Sequence, residues 1–178
     1  MSNKPILYSI FAGMITGVVV GLLPLSLMSS FNEMLREIVM YQLTSANASK
    51  EVIEEALSKI NETLIIVMWI TPIATTIQMI LIGALFGILH RYFINKYNIK
   101  PWYYALIVGV IFILLTEAIP IFASLFLNQQ IINIVFKYIN PFMIFIPGIL
   151  YTILLILFSS IKGPWAKLLR KNHQCIRY

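Results

Sequence analysis

The sequence predicts an all-α membrane protein with four transmembrane helices, on three grounds. The chain is too apolar to cover a soluble surface, it holds four long stretches nearly free of charge, and its basic residues gather at alternate ends of those stretches. Of 178 residues, 60% are hydrophobic and 11% charged, about half the charged share of a soluble domain. The uncharged stretches run over residues 5–28, 63–89, 101–127 and 138–161, and Glu117 is the one ionisable carboxyl inside them. Each is long enough, at about 1.5 Å per helical residue, to cross a hydrocarbon core of about 30 Å. None alternates polar and apolar residues over about ten positions, as a membrane-barrel strand does. The chain therefore reads as a single membrane domain, 1–178.

The first stretch is longer than a signal-peptide apolar region, and Leu27-Met28-Ser29-Ser30 offers no small-x-small cleavage site, so it is expected to be a retained helix. Orientation follows from the cations. Lys4, Arg91, Lys96, Lys100, Lys162, Lys167, Arg170, Lys171 and Arg177 fall on one side, and Arg36, Lys50, Lys59 and Lys137 on the other. The richer side is expected to be cytoplasmic, with both termini there and the chain in the cell membrane. Every acid outside the stretches, from Glu33 to Glu62, falls on the opposite side.

Residues 30–62 read as an extracytoplasmic amphipathic helical hairpin between helices 1 and 2. Ser30 is expected to cap a helix with Phe31, Met34, Leu35, Ile38 and Val39 on one face, and Ser49 a second with Val52, Ile53, Ala56, Leu57 and Ile60. Thr44 to Asn47 break the pattern between them. Asn47 and Asn61 match the glycosylation acceptor pattern, a loose one.

A shift of 96 residues lays the first stretch on the third without a gap: Pro5 on Pro101, Tyr8 on Tyr104, Gly13 on Gly109, Pro24 on Pro120 and Asn32 on Asn128. Ile70-Thr71-Pro72 and Ile139-Asn140-Pro141 align the other two more loosely. The pattern suggests a duplicated two-helix hairpin, with parallel repeats about an axis along the membrane normal.

Small residues let membrane helices approach closely. Ser9, Gly13, Gly17 and Gly21 recur every four residues, and Thr76, Gly83 and Gly87 share a face of the second stretch. Packing within the chain is the favoured reading, and self-association the alternative. A second face of that stretch carries Thr71, Thr75 and Gln78. The third stretch carries Gly109, Ile113, Glu117, Pro120 and Ser124 in steps of four and three. Counted from their outer ends, Glu117 and the threonines lie at matching depth, which predicts that they face each other. No Lys, Arg or His lies within the stretches to pair with Glu117. A charged carboxylate there costs several kcal/mol, so Glu117 is expected to be a neutral acid locking two helices, or a proton or cation site. Pro24, Pro72, Pro120, Pro141 and Pro147 are expected to kink their helices.

At the basic boundary, Tyr92, Phe93, Tyr97, Trp102, Tyr103 and Tyr104 form an aromatic belt among Arg91, Lys96 and Lys100, with His90 read as an interface residue. The tail 164–178 reads as a cytoplasmic amphipathic helix, with Cys175 an ordinary thiol.

These features bound the function. The net charge of +6 sits beside apolar segments, so the expected partners are the lipid bilayer and its anionic lipids rather than nucleic acid. A chain with one Cys and no Asp has no Cys-based zinc site, no aspartate pair and few ligands for magnesium, so no cofactor, metal or catalytic residue is expected. A non-catalytic subunit or scaffold of a membrane assembly is the first expectation. A small oligomeric transporter or channel using Glu117, Thr71, Thr75 and Gln78 is the second, and an intramembrane enzyme a distant third. A homo-oligomer or other membrane subunits would be the protein partners.

Overall fold

The computed structural model describes residues 4–97, 100–127 and 129–160, the side chains at 125 and 127 excepted. The tail 164–178, Cys175 and Asn128 of the repeat lie outside the described residues. The described chain is all helix, without a strand. The helices are α1 (Lys4–Ser26), α2 (Met28–Ser45), α3 (Lys50–Lys96), α4 (Pro101–Ile113), α5 (Ile119–Leu127), α6 (Gln129–Tyr138) and α7 (Ile146–Ser159). A π turn, Leu114–Ala118, joins α4 to α5, and a 3-10 segment, Pro141–Phe145, precedes α7. Four helical runs are long and apolar enough to cross a membrane: Lys4–Ser26, Lys50–Lys96, Pro101–Ser124 and Pro141–Ser159.

Several boundaries differ from those expected. α2 begins at Met28 after a single non-helical residue, Leu27, and no side chain caps it, so Ser30 lies inside the helix. α2 continues through Ser45 and ends where Asn47 takes a left-handed conformation (φ 54°). The Asn47 and Ala48 N–H groups then donate to the Thr44 and Leu43 carbonyls, both at 3.0 Å. Asn tolerates that backbone better than other side chains do. Ser49 caps α3 as expected, its hydroxyl accepting from Val52 N–H at 3.5 Å. α3 then runs unbroken for 47 residues, about 70 Å at helical rise. That is about twice the thickness of a bilayer core, and in its first third Asn32 Nδ2 donates to Asn61 Oδ1 at 2.9 Å and ties α2 back onto it.

Tyr138 ends α6 rather than opening the fourth stretch, because Asn140 starts a new segment by accepting from Phe142 N–H at 3.0 Å. α6 lies against α2: Lys137 Nζ and Tyr138 OH both donate to Glu37, each at 2.7 Å. These bonds lower the Glu37 pKa, Lys137 more than Tyr138.

α1 packs chiefly on α3 and α4 chiefly on α7, while α1 also meets α7. The core lies where these pairs join, around Ala12, Met79, Val108, Phe112, Tyr151 and Leu155. Phe112 stacks on Tyr151 with ring centroids 4.5 Å apart. Along the apolar part of α3 the outer face is apolar: Trp69 is 71% exposed, Leu85 67% and Leu81 63%. Hydrocarbon or another helix suits such a face; water does not.

Candidate functional site

The α1–α3 seam holds the glycine ladder. A Cβ at Gly13 would fall on the Met79 carbonyl oxygen, one at Gly17 would lie 2.6 Å from Thr76 Cα, and one at Gly21 would lie 2.5 Å from Pro72 Cα. From the other side, a Cβ at Gly83 would be 2.6 Å from Ser9 O and one at Gly87 2.8 Å from Ile6 Cα. The backbones touch, and any side chain would force them apart. Thr75 belongs to this seam: its hydroxyl donates to Thr71 O at 2.7 Å, with Gly17 O across the seam at 3.2 Å. Thr71 bonds back within its own helix, to Val67 O at 2.7 Å.

Glu117 is elsewhere. The expectation that it meets Thr71 and Thr75 is corrected: its Oε1 accepts from the Gly148 N–H on α7, at 2.5 Å. Matching depth along two helices does not make them neighbours, and the α4–α5 run packs on α7. The stripe is nonetheless continuous on that side, since Gly109 abuts Thr152 while Ile113 and Glu117 abut Gly148. Gln78 joins neither group and stands exposed on α3.

Two helix irregularities create the Glu117 contact. Pro120 has no N–H, and in an unbroken α-helix its ring would crowd the Thr116 carbonyl. The turn before it, Leu114–Ala118, widens to a π turn and carries Glu117 toward α7. Across the seam, Asn140, Pro141 and Pro147 make the fourth run begin as a 3-10 segment and restart as α7 at Ile146. Gly148 is the third residue of α7, so its N–H is one of those at a helix start that lack an intrahelical acceptor. Glu117 supplies the acceptor from a different helix. A Cβ at 148 would lie 2.6 and 2.8 Å from the two Glu117 oxygens, so only glycine admits the carboxyl.

The carboxyl is 6% exposed, and Oε2 is buried without a hydrogen-bond partner among the described residues. Ionised, the group can only accept; protonated, it can also donate. The partial positive charge of the α7 start favours a carboxylate and opposes a metal cation, so the arrangement suits a protonation equilibrium or a fixed lock better than cation binding.

The basic end also differs from expectation. His90, read as an interface residue, is fully buried within the protein. Its Nε2 lies 3.4 Å from the Pro101 carbonyl oxygen, an acceptor, so Nε2 carries the proton in that bond. Tyr104 is likewise 2% exposed, stacked on Phe93 with centroids 6.1 Å apart. Each meets the neighbouring helix, His90 at Pro101 of α4 and Tyr104 at Phe93 of α3. Nearer the middle, Ser9 and Tyr151 hydrogen-bond to each other, both fully buried. Sequence reasoning missed Gly148, Tyr151 and the burial of His90. The signal for the first was present in Pro147-Gly148, an interruption within an otherwise apolar helix.

No family model matches this chain, and neither a curated protein nor a solved structure does.

Proposed function

We propose that this chain is a multi-pass protein of the cell membrane, with both termini cytoplasmic, that serves as a non-catalytic subunit or scaffold of a membrane assembly. The face of α3 around Gln78 is its contact with another transmembrane helix. The observation that carries the reading is Gln78 itself. It stands exposed and makes no side-chain hydrogen bond among the described residues. Measured along α3, it lies about 16 Å from Leu89 and about 22 Å from Thr63, the ends of the apolar stretch. An amide at that depth, offering two donors and an acceptor, gains nothing from lipid tails. A polar group on a neighbouring helix would satisfy it. Ala74, Leu81 and Leu85 share its face and are exposed with it.

The test is the size of the assembly extracted in mild detergent at native expression. Gln78→Leu should weaken association by about three- to twentyfold, the range of interhelical hydrogen bonds in membranes. A parent protein extracted only as single chains would refute the reading.

A second reading rests on Glu117, whose buried Oε2 faces no partner while Oε1 sits on the start of a broken helix. Such half-helix ends line substrate and proton sites in transporters. In this reading the protein is a small oligomeric transporter or channel, and Glu117 carries the proton. Glu117→Gln should then abolish pH-dependent flux in proteoliposomes, whereas unaltered pH-dependent flux would remove Glu117 from any mechanism.

A further inference from the structure

At the basic end, where the start of α1 meets the last turns of α3, a cleft of about 250 Å³ is lined by Ile6, Ile88, Arg91, Tyr92 and Asn95. Its chemistry is graded along one face of α3. Ile88 lies farthest from the helix end, Arg91 and Tyr92 one turn nearer it, and Asn95 a further turn out, in the three- and four-residue steps that bring side chains into line. Ile6 forms the facing wall, held close because Gly87 admits its backbone: a Cβ at Gly87 would lie 2.8 Å from Ile6 Cα. Beside the cleft, the Lys96 ammonium donates to Tyr92 OH at 3.0 Å and lies 5.3 Å above the Tyr92 ring. A second cation is thus fixed at the rim.

We infer that this cleft holds one anionic phospholipid, with its phosphate on Arg91 and Asn95 and the start of its acyl chains between Ile6 and Ile88. Three features select that ligand. A guanidinium presents a fork of donors that matches phosphate oxygens. The amide of Asn95 and the nearby Lys96 add donors and positive charge on the water side, where a headgroup lies. The two isoleucines face a ligand that continues into hydrocarbon, which a free phosphate does not. A zwitterionic headgroup brings its own cation toward Lys96 and Arg91 and is disfavoured. The inference rests on the membrane reading of the chain, not on the assembly proposed through Gln78.

The experiment places the full-length protein in nanodiscs of equal parts phosphatidylcholine and phosphatidylglycerol, releases it in mild detergent, and counts retained lipids by native mass spectrometry. The parent should keep one phosphatidylglycerol in preference to phosphatidylcholine. Arg91→Gln should lower that retention by about tenfold or more, the worth of one charge-assisted hydrogen bond. Arg36→Gln, a cation at the opposite end, should leave it unchanged. Inorganic phosphate at millimolar concentration should not displace the lipid. If Arg91→Gln does not yield folded protein, Asn95→Leu at an exposed position tests the same site and should lower retention severalfold. Equal retention of both lipids, full retention in folded Arg91→Gln or Asn95→Leu, or displacement by inorganic phosphate would each overturn the inference. Failure of the chain to enter nanodiscs would instead count against the membrane reading itself.

Discussion

α1 and α3 touch backbone to backbone, whereas α4 and α7 meet through side chains and one carboxyl. Gly13 and Gly109, equivalent in the 96-residue alignment, show the contrast directly. Gly13 faces the Met79 main chain on α3; Gly109 faces the Thr152 side chain on α7. In the first seam glycines bring main chain against main chain, with the Thr75 hydroxyl 3.2 Å from Gly17 O across it, so there is little room for a new side chain. The second seam is fastened at one point by Glu117 on Gly148, and that bond depends on a titratable group. The first seam is thus held by main-chain contact, and the second by one side-chain bond.

Substitutions should expose the difference. The largest effect is expected at Gly13→Val, because its new side chain meets the Met79 main chain rather than the movable tip of a side chain. Overpacking of this kind costs about 1–3 kcal/mol, occasionally more, and thermal unfolding in detergent should fall accordingly. Comparable stability of Gly13→Val and the parent would break the distinction between the seams.

At the other seam, Gly148→Ala should cost about 1–3 kcal/mol by displacing a buried, hydrogen-bonded carboxyl. The same change in a Glu117→Ala background should cost less, since the carboxyl and its bond have gone together and the Ile113 side chain alone is left to give way; equal costs in both backgrounds would deny the coupling. Glu117→Leu should cost about 1 kcal/mol, while Glu117→Gln, which keeps an acceptor for Gly148 N–H, should be nearly silent in stability.

Much of the bundle was legible in the residues. Uncharged length located the four runs, the spacing of Gly13, Gly17 and Gly21 located a seam, and Ser49 marked the start of α3. What periodicity cannot supply is which helix a given face meets. Thr71 and Thr75 shared a depth with Glu117, but neighbours are chosen by packing across the bundle, and α7 took that place. The burial of His90 was not legible because an aromatic, basic setting suggests an exposed boundary residue, while its burial depends on contact with Pro101 of α4. α6 escaped notice because ten residues with Ile132 inward are too short and too polar to stand out beside a membrane helix.

The smallest expected effect lies at the acidic end. The Glu37 pKa is lowered from 4.5, first by Lys137 and then by Tyr138. A lowered carboxylate value means that the bond contributes fully above 4.5 and is lost as pH falls through the lower folded value. Spin labels on the exposed residues Met40 and Gln130 should report a narrow distance at neutral pH that broadens in strong acid. Glu37→Gln should be broad throughout; a narrow distance in that variant would show that α6 is held by its apolar side alone.

The face of α3 that the two seams leave uncovered is the one proposed to meet another helix, and it can be interrogated in place. A photoreactive residue substituted for Leu81, one turn from Gln78 and 63% exposed, should on irradiation of native membranes form adducts with a protein, and Gln78→Leu should diminish them. The same probe at Phe122, 65% exposed on the α5 side, should label mainly lipid. Lipid adducts alone at position 81, in the presence of intact Gln78, would contradict the assembly that this face is proposed to form.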